Sequence, residues 1–335
     1  MTKHPLLACA LLVVLSPAFA ETLTGAGATF PLPIYTRWFA AFHERYPQDE
    51  VTYQPTGSAE GIRKLREGAI DFAGSDIPLD DHQMSEMGRS VLHFPTVLGA
   101  VVPIYHIGGL SKDLNFTPET LAKIFLGTIR RWNDPEIRAA NPHVRLPDAP
   151  IVVVHRSDGS GTTYVLSSYL TKVSADWKAQ AGIGATVQWP VGIEASGNGG
   201  VAGLVRHTAN SIGYVEFIYA LQQHLGYGLV RNGAGRFVQA NLDSISAAAR
   251  SLAAISPDLR NPAIGSSADD AYPITGFSYL LIPSTLGGEK AAAAKRLLNW
   301  ILTSGQAQSP ALGYAPLPAS VVKLEMTALG KIKTS

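Results

Sequence analysis

The segment His155-Arg156-Ser157-Asp158-Gly159-Ser160-Gly161-Thr162 joins one arginine to small and hydroxyl residues. It follows the apolar, β-branched run Ile151–Val154, and it precedes Thr163–Lys172, whose pattern predicts a helix. That composition suits an anion seat. Glycines let backbone approach a ligand, hydroxyls donate hydrogen bonds, and the first N–H groups of a helix have no partner within it. Arg156 adds a planar, permanently charged fork that matches an oxyanion.

Two further segments share this design. One is Thr24-Gly25-Ala26-Gly27-Ala28-Thr29-Phe30-Pro31, and the other is Pro55-Thr56-Gly57-Ser58-Ala59. Each places N–H groups at a predicted helix start beside a hydroxyl: Thr29, Ser58, then Ser160 and Thr162. Taken singly, each is an ordinary capped turn. Three in one chain make a shared anion site the better explanation. Asp76 ends Asp71–Pro78, after a predicted buried strand. Such an aspartate is usually a turn former or a cap. In an anion site it would repel the ligand, unless the ligand carries a proton for it to accept. Asp158 either orients the Arg156 guanidinium or simply forms a turn with Gly159. Gly197-Asn198-Gly199-Gly200 opens a helix, and it either borders the ligand or is only a turn.

Other chemistries find little support. Gly159–Thr162 lacks the lysine of a nucleotide-hydrolase phosphate loop. Gly25-x-Gly27 has Phe30 where a dinucleotide fingerprint needs glycine or alanine. Gly-x-Ser-x-Gly does not occur. The nine histidines are scattered without an i,i+4 pair, so no metal site is predicted. His155 reads as a strand-end residue rather than a base. No catalytic residue is assigned.

The elements that must position these groups alternate almost throughout. Predicted strands are Leu23–Gly25, Val51–Gln54, Asp71–Ser75, Val97–Ile104, Ile151–His155, Ser211–Val215 and Phe277–Ile282. Predicted helices are Pro33–Tyr46, Ala59–Glu67, Pro118–Leu126, Thr163–Lys172, Val201–His207, Leu242–Ala254 and Lys290–Leu302. This is an α/β pattern with mainly parallel sheets and ligand sites at strand C-terminal ends. Proline-marked extended segments at Phe94–Val97 and Tyr272–Thr275 suit two crossings between lobes. If both are crossings, lobe I is discontinuous, residues 21–97 with 273–335, and 98–272 is inserted in it as lobe II.

Residues 1–20 read as a cleaved signal peptide: a short basic start, the apolar run Leu6–Leu15, and Ala18-Phe19-Ala20 before the cut. Export from the cytoplasm follows. The leader holds the only cysteine, so the mature chain relies on its core rather than on disulfides. Removing Lys3 balances the remainder at 26 basic and 26 acidic residues, which argues against nucleic acid and a membrane surface as partners.

Several of these segments together resemble periplasmic phosphate-binding proteins of ABC importers. They are Leu23–Pro31, Asp71–Pro78, Phe94–Val97, Arg156–Thr162, Gly197-Asn198 and Ser211–Glu216, and the similarity runs from Leu23 to about Val322. The resemblance implies a two-lobed type II periplasmic-binding-protein fold with the ligand in the interlobe cleft. It implies phosphate contacts from Thr29, Phe30, Ser58, Asp76, Arg156, Ser160, Gly161 and Thr162, with Asp158 pairing Arg156. It also implies a non-enzymatic monomer without a cofactor. Such a protein would deliver inorganic phosphate to a permease of two transmembrane proteins and an ATPase. Related sequences often read Gly-Ser-Ser-Gly-Gly where this chain has Gly57-Ser58-Ala59-Glu60-Gly61. Glu60 is expected to face solvent from the first helical turn. Two other classes remain: a secreted phosphatase or phosphoryl-transfer enzyme using the same anion seat, and a surface or adhesion protein that retains the fold for protein contacts. A binder of another tetrahedral oxyanion is a narrower variant.

Overall fold

The protein is described by a computed structural model covering residues 21–110, 113–250, 256–260 and 268–335. The leader reading and the end of the helix predicted to Ala254 lie outside the described residues.

The chain begins β1 (Glu21–Gly27), α1 (Leu32–Arg45), β2 (Asp49–Gln54), α2 (Ser58–Arg66), β3 (Phe72–Ser75), α3 (Asp81–Glu86) and β4 (Val91–His106). Next come β5 (Asn115–Phe116), α4 (Pro118–Phe125), α5 (Pro135–Ala140), β6 (Val152–Arg156), α6 (Gly161–Val173), α7 (Ala175–Gln180) and β7 (Ile193–Ala195). Then follow α8 (Gly197–His207), β8 (Ser211–Glu216), α9 (Phe217–Gln222), β9 (Gly226–Tyr227), β10 (Leu229–Arg231), β11 (Phe237–Val238) and α10 (Leu242–Arg250). The last elements are β12 (Thr275–Pro283), β13 (Thr285–Leu286), α11 (Gly288–Thr303), α12 (Ala319–Ala328) and β14 (Lys333–Thr334).

Among the described residues the main sheet has nine strands in the order β2-β1-β3-β12-β4-β8-β6-β7, with β9 beside β4. Its two flanks are parallel: β1 with β2 and β3, and β6 with β7 and β8. Its centre is antiparallel. β12 runs against β3 and β4, and β4 runs against β8. The sixteen-residue β4 serves both halves. Val91–Ala100 pairs with β12, and Val101–His106 pairs with β8.

The strand predicted from Val97 begins earlier, at Val91, so Pro95 of the extended segment Phe94–Val97 lies inside it. Pro95 pairs with Tyr279, beside a register shift between Ser278 and Tyr279. A proline has no N–H for the ladder, and an irregularity is where a sheet tolerates one.

Hydrophobic patterning sets the layers. In α1 the residues Ile34, Tyr35, Trp38, Phe39 and Phe42 are buried at helical spacing, and Trp38 Nε1 donates to the Gly305 carbonyl at 2.8 Å. β12 is buried along its whole length. Because β1, β2 and β3 are parallel and in register, Gly27, Gln54 and Ser75 end at one edge. The turns after them therefore meet at that edge. α2 lies close against β1 because of Gly61: a Cβ there would sit 2.6 Å from the Gly27 Cα and 2.7 Å from the Ala26 carbonyl oxygen. Gly61→Ala should lower stability by roughly 1–3 kcal/mol through overpacking. Urea denaturation would read this as a lower midpoint, and an unchanged midpoint would mean that the helix can back away from the strand.

Candidate anion-binding site

The turns read as anion seats converge in the fold. Thr29 and Phe30 lie between β1 and α1, and Ser58 is the first residue of α2. Asp76 follows β3, Arg156 ends β6, and Ser160 caps α6, whose first residues are Gly161 and Thr162. All eight are buried. Their convergence is clearest at Gly161, where a Cβ would collide with both Asp76 Oδ2 and Ser58 Oγ. Glycine is the residue that lets the α6 turn approach the β3 and α2 turns this closely. The halves also touch through the Ala59 N–H, which donates to the Gly159 carbonyl at 3.0 Å.

Arg156 is held rather than free. Its Nε donates to Asp158 Oδ1 at 2.7 Å, and its Nη2 donates to Asp158 Oδ2. Nη1 points to Thr162 Oγ1 at 3.3 Å. Burial acts to raise the Asp158 carboxyl. The Arg156 hydrogen bonds, the Arg156 charge and the Gly197 N–H outweigh burial and hold it below the usual carboxylate range. Asp158 thus pairs with the fork and offsets its charge from within the bend that precedes Gly159.

The hydroxyls share one polarity. Ser58 Oγ accepts from the Asp76 N–H at 3.2 Å, and Ser160 Oγ accepts from the Thr163 N–H at 3.0 Å. Thr29 Oγ1 accepts from the Asn198 backbone N–H at 3.2 Å and from Asn198 Nδ2 at 2.9 Å. Thr162 Oγ1 accepts from Asn198 Nδ2 at 3.0 Å. A hydroxyl whose oxygen is engaged by donors offers its own proton to whatever lies in front of it.

Asp76 is the exception. Its Oδ1 accepts from Ser278 Oγ at 2.5 Å, while its buried Oδ2 has no partner. Burial pushes its carboxyl up to about 7, against the pull of the Ser278 hydrogen bond and the Arg156 charge. When ionised, Asp76 offers Oδ2 as an acceptor set among donors.

Sequence reasoning missed several supports. Tyr219 OH donates to the Thr29 carbonyl at 2.6 Å, and Tyr314 OH donates to the Phe30 carbonyl at 2.7 Å. Both act on backbone from a distance, so no local signal marks them. Ser278 had a signal: a polar residue inside the apolar run Phe277–Ile282. Asn198 does border the site, as one reading of its turn allowed. His155 stacks on Trp189 with centroids 4.9 Å apart, consistent with a packed strand-end residue. Glu60 faces outward, where Arg63 Nη2 meets its Oε1 at 2.6 Å. Among the described residues no cluster of three or more His, Cys, Asp or Glu is arranged to hold a metal ion.

The sequence matches the PBP superfamily domain over residues 15–304. It is 40% identical to phosphate-binding protein PstS of Xylella fastidiosa strain Temecula1 over 304 residues, covering 90% of this chain and 83% of the relative. It is 37% identical to phosphate-binding protein PstS of Pasteurella multocida, covering 100% of this chain and 98% of that one. The chain belongs to the PstS family of phosphate-binding proteins. The fold agrees. A solved high affinity periplasmic phosphate-binding protein (PfluDING), bound with phosphate at pH 8.5, matches with a TM-score of 0.76 at 20% identity, covering 92% of this chain and 93% of that one. A phosphate binding protein from Stenotrophomonas maltophilia matches with a TM-score of 0.71 at 19% identity, covering 92% and 94%.

Asp76 also makes a stability prediction for the ligand-free family member. Its folded-state titration near 7 lies above the ordinary 3.8, so the folded protein holds more protons between those values. Stability should fall as pH rises through that window, with the full cost present above about 7. Asp76→Asn should gain on the order of 1–3 kcal/mol over the unmutated protein at about pH 8 in phosphate-free buffer, with the gap closing towards about pH 4. Denaturant melts at both pH values check this. Equal stability at the higher pH would mean that Asp76 is not paying for its burial.

Proposed function

We propose that this protein binds inorganic phosphate in the periplasm and delivers it to the permease of an ABC importer. The observation that carries the reading is the donor-lined site in which a buried carboxylate oxygen, Asp76 Oδ2, has no partner among the described residues. The names of the relatives, including the phosphate-bound neighbour, support it. Phosphate oxygens take the four hydroxyl protons, the N–H groups at the starts of α1, α2 and α6, and the inner edge of the Arg156 guanidinium. Asp158 compensates the guanidinium charge, so most of the ligand's charge is met by dipoles.

Mono- and dihydrogen phosphate carry an O–H that donates to Asp76 Oδ2. Sulfate at neutral pH has none, and its oxygen would face a carboxylate. A buried site built around a ligand hydroxyl rejects an analogue lacking it by roughly 10⁴-fold or more. Arsenate keeps the proton and nearly the same shape, so it is discriminated less.

The lobes of this reading are residues 21–97 with 273–335, and residues 98–272. They are joined where β4 changes partner from β12 to β8. Closure would expel water from the cage and strengthen each contact. The leader at residues 1–20 carries the chain to the periplasm, and the permease receives the closed, monomeric form. Phosphatase or phosphoryl-transfer activity has no observation in its favour.

Calorimetry on ligand-stripped protein should show micromolar or tighter phosphate binding and little sulfate binding, and equal affinity for both would sink the role given to Asp76. Arg156→Ala should weaken phosphate by about 100-fold or more. An unchanged affinity would remove Arg156 from the site. Asp76→Asn should narrow the phosphate-to-sulfate ratio, because a neutral amide removes the repulsion. A ratio equal to that of the unmutated protein would assign specificity elsewhere.

A further inference from the structure

Asn198 stands at the start of α8 and is fully buried. Its two Nδ2 protons go to hydroxyls from opposite halves of the molecule: Thr29 Oγ1 at 2.9 Å and Thr162 Oγ1 at 3.0 Å. Its backbone N–H reaches Thr29 Oγ1 as well, at 3.2 Å. Its Oδ1 accepts from the Glu216 N–H at 2.9 Å. This last bond determines which end of the amide is which. A flipped amide would set an NH₂ group against an N–H that cannot accept.

The consequence concerns protons. A hydroxyl oxygen has two lone pairs and one proton. Both acceptor positions of Thr29 Oγ1 are occupied by Asn198. Those of Thr162 Oγ1 are occupied by Asn198 Nδ2 and by Arg156 Nη1 at 3.3 Å. Each hydroxyl is left only with a proton to give. Thr162 can turn its proton to Asn198 Oδ1 at 3.4 Å, a long bond that an anionic oxygen outcompetes.

We propose that Asn198 is a positioning residue that makes Thr29 and Thr162 obligate donors to the anion and, by bonding to both, latches the two halves around it. The inference rests on the phosphate-binding reading for its ligand. It also predicts how the ligand sits. With both threonines unable to accept, the protonated oxygen of the ligand has no acceptor on the α8 side, so it turns to Asp76.

The test measures phosphate affinity by calorimetry for Asn198→Ala and Asn198→Asp, each alone and in a Thr29→Val/Thr162→Val background. Asn198→Asp keeps the side-chain shape and turns the donor end into an acceptor. Asn198→Ala should lower affinity by about 10- to 100-fold, and Asn198→Asp by more, because the threonines would then give their protons to the new carboxylate. In the double-valine background the further loss from either substitution should shrink to about threefold or less, since no hydroxyl remains to be set. A similar loss in both backgrounds would assign Asn198 a purely structural role and overturn the proposal. So would affinities of the single variants within threefold of the unmutated protein. If Asn198→Ala does not fold, Asn198→Asp decides alone. Failure of the unmutated protein to bind phosphate would instead overturn the functional reading.

Discussion

Everything at this site answers to one constraint: a buried anion must be met by donors, and an acceptor may face it only where the ligand carries a proton to give. Uncompensated burial of such a charge is prohibitive, and each misdirected lone pair adds to the cost. The protein meets the constraint by occupying its own hydroxyl oxygens. Asp76 N–H engages Ser58, Thr163 N–H engages Ser160, and Asn198 engages Thr29 and Thr162. Serine and threonine can donate or accept when free. Here Asn198 and Arg156 remove the choice for Thr29 and Thr162, while Ser58 and Ser160 each have one lone pair engaged.

That arrangement explains why the sheet is built as it is. Donors at helix starts can converge only if the strands before them end together. Parallel pairing of β1, β2 and β3 brings three turns to one edge, while β6 and β7 bring Arg156 and the start of α8 to the other side. The antiparallel centre then joins the two sets. β4 and β12 carry no proposed ligand-contacting side chain, yet the long β4 sets the distance between the two sets of turns. Ser278 on β12 also reaches into the site, engaging one oxygen of Asp76 and leaving the other free.

Charge is handled with similar economy. Arg156 is paired with Asp158, so the guanidinium contributes geometry as much as charge. Asp76 is the site's other carboxylate, and its burial makes it expensive when ionised. A ligand proton relieves that expense, which is how an acidic residue belongs in an anion cage. Beneath it, Glu216 is a second buried acid. Burial pushes its carboxyl well above the usual range, and its Oε2 accepts from the Ile218 N–H at the start of α9.

Much of this was legible in the residue order. Hydroxyls and glycines at predicted helix starts marked Thr29, Ser58, Ser160, Gly161 and Thr162. The α/β alternation indicated the class of fold, because side-chain periodicity is a local property. Local signals also placed α1, α2, α4, α6 and α11 close to their observed bounds, while α3, α5, α7, α9 and α12 were not predicted. The sequence could not show that three distant turns share one place, since chain separation says nothing about proximity. It left Asn198 undecided, because its role depends on Thr29, 169 residues away, and Asp158 undecided, because residue order does not say whether its carboxylate turns to Arg156. It marked Phe94–Val97 as extended but began the strand only at Val97, whereas pairing with β12 carries the strand through Pro95 at a register shift. The types of group available for chemistry were written in the sequence. Their donor or acceptor state was decided only by tertiary structure, because a hydroxyl's polarity is set by the groups packed behind it.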